Sequence, residues 1–303
     1  MYTSVHCIVV LTYTIINFPH AKIYSSTNAV RTPMMYFMEI LLQTAINAAK
    51  DAGDAIMTLY ASTEFETKAD GSPVTVADMT ANEIVLAHLR TTYIPILTEE
   101  SVGIPVPYPE QLWIIDPIDG TTGFIKKNGE FAVMIGLLEH GYPILGVVYE
   151  PANKALYYAR RGEGAYFEKD GIKKALSVQS IAPAPLRFVR TRNHPTPFMN
   201  TVANKLHATS IPCGGIGIKT NIIARGDGDF FFTLAELGDW DVCAPSIIVT
   251  EAGGTVTDCT GNPLTYGTKN HRIERGVIFS NTICHPEVVT AIHTSLPIQE
   301  IHQ

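Results

Sequence analysis

The sequence predicts an α+β / α/β protein built in two parts. An antiparallel-sheet half comes first, and a smaller half with helices covering a mixed sheet follows. Three observations predict this. Strand-like runs at 131–138, 144–150, 155–160 and 164–168 are separated by turn dipeptides, as in a meander. After residue 185 strand-like and helical stretches alternate. Hydrophobic residues make up 46% of 303 residues and charged ones 17%, enough apolar material for a large ordered core.

In chain order, Leu42, Ile46, Ala49, Ala52, Ile56 and Leu59 recur every three or four positions, so 39–60 reads as an amphipathic helix. "KADGSPVTVAD" (68–78) reads as a loop. A second helix follows over about 79–90, capped by Asp78 or Thr80, with Thr80-x-x-Glu83 as a capping box. "IPILTEES" (94–101) is a short buried strand ending in two acids, and 112–115 is another, ending at Asp116. His140-Gly141, Ala152-Asn153 and Arg161-Gly162 turn the meander. "IAPAP" (181–185) is the best internal boundary. Beyond it come strands at 186–191, near 208–212, and at 228–233, 254–258 and 276–280, with helices near 197–207 and 216–225 and at 242–252. The domains are therefore 1–33, an extension outside the fold; 34–182, the antiparallel half; and 183–303, the smaller half.

A net charge of −7 disfavours a protein that tracks nucleic-acid phosphates, but not a small anionic substrate. Cys7, Cys213, Cys243, Cys259 and Cys284 are odd in number, widely spaced and without CxxC. They read as reduced packing thiols of a reducing, cytoplasmic compartment, with no zinc site. The apolar run 7–17 is shorter than the roughly 20 residues of a membrane span, and no Lys or Arg precedes it as in a secretory signal.

Acids gather where such folds build sites. Asp78 stands at a helix start, Glu99-Glu100 after a strand, Asp116 and Asp119 after a strand, and Asp239-Trp240-Asp241 before a helix. Singly, Asp78 and Asp241 read equally as helix caps and the glutamates as a solvated turn. Together they would repel one another unless a cation lay between them, and oxygen-only donors select a hard ion such as Mg²⁺. In Asp116-Pro117-Ile118-Asp119-Gly120-Thr121, Pro117 favours a tight turn that presents both aspartates on one side. The Ile118 carbonyl is a further oxygen donor, Gly120 permits close approach, and Thr121 can orient a water.

"WIIDPIDGTTGF" (113–124) and "WDVCAPSIIVTEAGG" (240–254) resemble the two signatures of the inositol monophosphatase superfamily. "LTEES" and "VTVAD" resemble its acid pair and first site aspartate, and the likeness spans about 37–290. Its detail resembles the 3'(2'),5'-bisphosphate nucleotidase branch: "GFIKKNGEF" (123–131) is like the bacterial members, "TRNH" (191–194) like their Ser-Arg-Ser-His, and "GGIGIK" (214–219) like the eukaryotic ones. The resemblance implies a layered αβαβα sandwich. It implies Mg²⁺, two or three ions, on Glu99, Asp116, the Ile118 carbonyl, Asp119 and Asp241, with Asp78 binding or orienting water at a further, weaker metal site and Thr121, paired with Glu99 or Asp78, aligning the attacking water. Lithium sensitivity is implied as well. Gly120, Thr191, His194, Gly215 and Lys219 become substrate contacts, Lys219 to a remaining 5'-phosphate or else solvated at a helix N-terminus. Lys126 and Lys127 are either solvated charges or further contacts.

The expected reaction is removal of the 3'- or 2'-phosphate from adenosine 3'(2'),5'-bisphosphate by metal-activated water, in a monomer or homodimer that needs neither nucleic acid nor membrane. The alternatives are an inositol polyphosphate 1-phosphatase or inositol monophosphatase, and a non-catalytic metal- or nucleotide-sensing module. Asp119→Asn is expected to abolish turnover and leave the fold intact.

Overall fold

The computed structural model describes residues 33–61, 66–67, 73–100, 106–181, 184–193, 195–268 and 270–296. The readings made for 1–32, for His194 and for the "IAPAP" residues 182–183 lie outside them. The chain separates at Ile40 into two units; the first helix begins in the first, and the features below from Ile40 onwards belong to the second.

Helix α1 (Pro33–Leu59) buries Leu41, Ala45, Ala48, Ala49, Ala52 and Ile56, close to the stripe read from the sequence. A two-residue ladder, β1 (Glu66–Thr67) with β2 (Pro73–Val74), leads into α2 (Val76–Leu89). Then come β3 (Ile96–Thr98), β4 (Gln111–Asp119), the short α3 (Thr121–Ile125), β5 (Ala132–Glu139), β6 (Tyr142–Glu150), β7 (Ala155–Arg160), β8 (Ala165–Lys169) and β9 (Ile172–Ala175). These strands form one sheet in chain order, parallel only between β3 and β4, so the meander is as expected. At the β5–β6 hairpin His140 and Gly141 both take positive φ, 51° and 79°, the two-residue turn that strand twist favours.

The second sheet and its helices follow: β10 (Arg187–Thr191), α4 (Pro197–Lys205), β11 (Thr209–Cys213), α5 (Ile216–Ala224), β12 (Phe230–Thr233), β13 (Leu237–Gly238), α6 (Asp239–Glu251), β14 (Gly254–Thr257), β15 (Arg272–Ile273), β16 (Val277–Asn281) and α7 (His285–His293), with β13 and β15 paired apart from it in a two-stranded ladder. Its order is β11-β10-β12-β16-β14, parallel among β11, β10 and β12 and antiparallel at β16, a mixed sheet as read from the sequence.

Alternation along β12 shows how the layers stack. Phe231 joins Met134, Val148, Val242, Ile248 and Phe279 in the core that holds α5 and α6 between the sheets. Phe230 and Phe232 point the other way, into a core with Met199, Val202, Val288 and Ile292 from α4 and α7. On the far side, a Cβ on Gly53 of α1 would lie 2.5 Å from Tyr149 of β6, so α1 lies against the first sheet. The layers run helices, sheet, helices, sheet, helices. β9 ends at Ala175 and β10 begins at Arg187, and the two sheets share the middle helical layer.

That middle layer is set by two glycines. Gly136 and Gly146 pair directly across β5 and β6. A Cβ on either would lie 2.4–2.6 Å from atoms of Cys243 or Ala244. Glycine there lets α6 lie against the sheet and fixes where its first turn arrives. Cys213, Cys243, Cys259 and Cys284 are buried and free, as packing thiols should be. Among the described residues, no helix is long and apolar enough to cross a membrane.

Candidate metal and phosphate site

The structure corrects the local reading of Asp116-Pro117-Ile118-Asp119. The strand does not end at Asp116 but runs on to Asp119, with a break in register. Asp116 pairs with Met134 and Asp119 with Ala132, so β4 carries one residue more than β5 between them. Pro117 explains the bulge, since it has no N–H to continue the ladder. In a regular strand residues 116 and 119 would face opposite sides, and the extra residue turns both to one side. Ile118 N–H closes the bulge by donating to Asp116 Oδ1 at 3.0 Å.

Asp116, Asp119 and Asp241 each bring a carboxylate oxygen within 4.8 Å of the others. Glu99 continues the β3–β4 ladder beside Asp116, its N–H donating to Ile115 O at 3.1 Å, and stands at the rim of this cluster. Burial first, then the charges of Glu99, Asp119, Asp241 and Asp78, pushes the Asp116 carboxyl well above its ordinary range. Asp241 is pushed up to about 7, by burial and then by Glu99 and Asp119. Asp119 is raised by burial too, against the Ile216 and Gly217 N–H groups and Lys219, which hold it down. Gathered carboxylates with raised pKa are what a hard metal ion relieves, so the donor set fits Mg²⁺.

Asp78 and Asp241 reach the site by the same local device. Each is the third residue of its helix and accepts from the backbone N–H of the capping residue: Asp78 Oδ2 from Thr75 at 2.7 Å, Asp241 Oδ2 from Gly238 at 2.6 Å. The cap of α2 is therefore Thr75, whose hydroxyl accepts from Ala77 N–H and Asp78 N–H, and neither Asp78 nor Thr80 caps it. Thr80 instead donates back to Val76 O, so Thr80-x-x-Glu83 is not the capping box. Likewise α6 starts at Asp239 rather than 242. Thr121 opens α3, and its hydroxyl lies 3.2 Å from both Asp78 Oδ1 and the Ile118 carbonyl. The structure thus joins Thr121 to Asp78 and leaves Glu99 beside Asp116.

The expected substrate contacts fall differently. Asp119 caps α5: its Oδ1 accepts from Ile216 N–H at 2.8 Å and its Oδ2 from Gly217 N–H at 2.7 Å. Gly215 makes room for that carboxylate, since a Cβ there would lie 2.6 Å from Asp119 Oδ2. Lys219 is not solvated at a helix N-terminus. It is 4% exposed, its ammonium sits 4.7 Å over the Phe231 ring, and burial lowers its pKa against the pull of Asp119. It serves as counter-charge to Asp119. Gly120 lies in the left-handed region (φ 88°), with the Glu130 carbonyl 2.6 Å from where a Cβ would be. Thr191 is the last residue of β10, which lies between β11 and β12 in the second sheet.

One cluster escaped the sequence reading. Tyr108 donates to Asp239 Oδ2 at 2.6 Å and lies 2.7 Å from His271 Nδ1, while Gly267 N–H also donates to Asp239 Oδ2 at 2.9 Å. Asp239 is fully buried, and among the described residues its Oδ1 has no partner. The cluster ties the first residue of α6, two before Asp241, to Gly267 and, through Tyr108, to His271. Partners 131 and 163 positions from Tyr108 leave no sequence pattern.

The model of the inositol monophosphatase family matches residues 38–295. Curated relatives named 3'(2'),5'-bisphosphate nucleotidase CysQ include those of Shigella flexneri, 37% identical over 75% of this chain and 94% of the relative, and Aggregatibacter actinomycetemcomitans, 33% over 80% and 93%. Among solved structures, CysQ of Bacteroides thetaiotaomicron, a bacterial member of the inositol monophosphatase family, superposes with a TM-score of 0.71 at 30% identity, covering 82% of this chain and 99% of that one. The Thermotoga maritima IMPase superposes at 0.73 with 27% identity, covering 84% and 98%. The αβαβα layering is that of these relatives.

Proposed function

The chain belongs to the inositol monophosphatase family, and from that premise we propose that it is a Mg²⁺-dependent phosphomonoesterase that removes the 3'- or 2'-phosphate of adenosine 3'(2'),5'-bisphosphate. The observation that carries the chemistry is the convergence of Asp116, Asp119 and Asp241 within 4.8 Å beside the Thr121–Asp78 pair. The substrate reading rests on the named activity of relatives up to 37% identical.

Asp116, Asp119, Asp241, Glu99 and the Ile118 carbonyl would hold the metal. Bound Mg²⁺ offsets phosphoryl charge and acidifies water. The rest is done by this chain. Thr121 gives its hydroxyl proton to Asp78 or the Ile118 carbonyl, which leaves its lone pairs to accept from and aim a water. Asp78, held by Thr75 N–H and by the Thr75 hydroxyl at 2.6 Å, keeps that threonine in place. Asp119 is fixed by α5, and the positive end of α6 lies at Asp241. Thr191 and His194 are proposed to flank the rest of the substrate.

Phosphate release from adenosine 3',5'-bisphosphate, inositol 1,4-bisphosphate and inositol 1-phosphate under saturating Mg²⁺ tests the reading. We expect the nucleotide to be turned over with the highest kcat/KM. Strong inositol phosphate turnover beside negligible nucleotide turnover would replace it with the second reading, which the likeness to the Thermotoga IMPase favours.

A further inference from the structure

Two cations act on the acid cluster, and they are held differently. Lys219 is buried on the Asp119 side, over the Phe231 ring. Arg272 acts on the Asp241 side. Burial, Glu99 and Asp119 push the Asp241 carboxyl up, while the Gly238 N–H and Arg272 pull it down. Asp239, raised by burial, is pulled down by Tyr108, Gly267 and His271 and then also by Arg272.

Short-range structure fixes where Arg272 stands. β13 and β15 pair antiparallel, with Gly238 opposite Arg272. Gly238 is the same residue whose N–H donates to Asp241 Oδ2 at 2.6 Å. Thr268 pins Arg272 by both backbone groups: its hydroxyl accepts from the Arg272 N–H at 3.1 Å and donates to the Arg272 carbonyl at 2.6 Å. Trp240 folds back over Gly238, where a Cβ would run into the indole ring. The Arg272 guanidinium lies over that ring, with Cζ 5.3 Å from its centroid. The residue is half-buried, and among the described residues its guanidinium has no ion pair.

Trp240 stands between Asp239 and Asp241 in the chain, and its face gives the guanidinium a neutral surface to rest on. A guanidinium paired directly with Asp241 would occupy the oxygens that a metal needs. Resting on the ring, Arg272 leaves them open and acts through its field alone. A fixed positive charge beside a carboxylate favours the ionised form, and it equally repels a divalent ion held there. Lys219 differs, since Asp119 stands directly against its charge.

We propose that Arg272, resting on Trp240, is a tuning charge that weakens Mg²⁺ binding on the Asp241 side of the cluster. This rests on the metal-site part of the reading above and is independent of the choice of substrate.

The test is calorimetric Mg²⁺ titration of the full chain without substrate, at low salt and about pH 8.5. At that pH the Asp241 carboxyl, pushed up to about 7, is ionised, so protons no longer compete with the metal. Arg272→Gln should bind Mg²⁺ about fivefold more tightly, the order expected when one charge is removed from beside a divalent ion in partly solvated surroundings. Arg272→Met, neutral but still able to cover the ring, should match it. Arg272→Lys keeps the charge and should stay within about twofold of wild type. The gap between Arg272→Gln and wild type should close in about 0.5 M salt, which a purely structural role would not do. Unchanged or weaker Mg²⁺ binding in both neutral variants would overturn the proposal and leave the metal site standing. Equal tightening in Arg272→Lys would assign the effect to the lost stack and overturn it too. A wild-type protein that binds no Mg²⁺ would overturn the proposal together with the metal-site reading. Metal-free melts check that each variant is folded.

Discussion

Asp116 and Asp229 are both buried aspartates on strands or at their ends, and they have opposite fates. Asp229 is fully buried and saturated. Its Oδ2 accepts Arg187 N–H at 2.7 Å and Nε at 2.9 Å, and its Oδ1 accepts Nη2 at 2.9 Å and Asn281 Nδ2 at 3.1 Å. Asp116 is 2% exposed, accepts from Ile118 N–H, and faces further acids. Asp229 has its cation built in, and Asp116 is left waiting for one. Substitutions that treat the two alike should therefore give opposite results.

Asp116→Asn gives the largest effect. The amide oxygen still accepts from Ile118 N–H, but one charged donor is gone. Turnover should fall about a thousandfold, the several kcal/mol that a metal supplies to a phosphoryl transition state. The metal-free protein should melt higher, because a repelling charge has been removed. Asp119→Asn cannot serve this purpose as the sequence suggested. Asp119 caps α5 through Ile216 and Gly217 and balances the buried Lys219, so its loss should also cost stability. Phosphate release and a thermal melt of the Asp116 variant together decide the point. Near-wild-type kcat would remove Asp116 from the metal set.

Asp229→Asn is the mirror image. Arg187 loses its counter-ion in a partly buried position, and we expect about 3 kcal/mol of stability to go. The kcat of the molecules that remain folded should be near wild type. Denaturant unfolding with a parallel assay reads both. A kcat loss comparable to that of Asp116→Asn would show that the two acids are not different in kind.

The same contrast explains what the sequence made legible. The acids, their residue types and their places at strand and helix ends could be read directly, because DPIDGT, LTEES and VTVAD are local. The layered order came with the family resemblance, and the alternation of Phe230-Phe231-Phe232 between two cores is visible only in the structure. What the sequence could not show was non-local space. Pro117 read as a turn, and only its pairing with β5 reveals a bulge. Gly215 read as an opening for ligand, yet the volume it leaves is filled by Asp119, far back in the chain. Lys219 read as solvated or ligand-facing, since nothing local predicts the Phe231 ring beneath it. Thr75-x-x-Asp78 was within reach: it is a capping box with aspartate in place of glutamate.

Acid–base behaviour should separate the regions less sharply. In the metal-free protein Asp116, Asp119 and Asp241 have raised pKa values, so the folded state binds more protons than the unfolded one. The stability they contribute is complete below the unfolded value near 3.8 and is lost as pH rises through the folded values, for Asp241 about 7. The melting temperature of the metal-free protein should fall between about pH 4 and pH 7. Saturating Mg²⁺ should cancel that fall, and its affinity should rise over the same window as protons leave. Asp116→Asn should flatten the metal-free slope. A metal-free melt that rises through this window would show that the acids are not held together.

The smallest effect tests whether positioning can be told apart from ligation. Tyr108→Phe removes the hydroxyl that donates to Asp239 and leaves a fully buried carboxylate with the Gly267 N–H as its remaining donor. The unmet acceptor costs about 1–3 kcal/mol. Asp239 sits at the start of the helix that carries Asp241, so part of that cost should appear as looser placement of a metal ligand. The expected sign is a several-fold rise in the Mg²⁺ concentration for half-maximal activity, with kcat at saturating Mg²⁺ within about threefold of wild type. Mg²⁺ titrations of activity, set beside the melt, distinguish the cases. A lowered melting temperature with an unmoved Mg²⁺ midpoint would make the Tyr108–Asp239–His271 cluster structural in the same sense as Arg187–Asp229. A moved midpoint would place it with Asp116, on the side of the molecule built around a cation it does not itself supply.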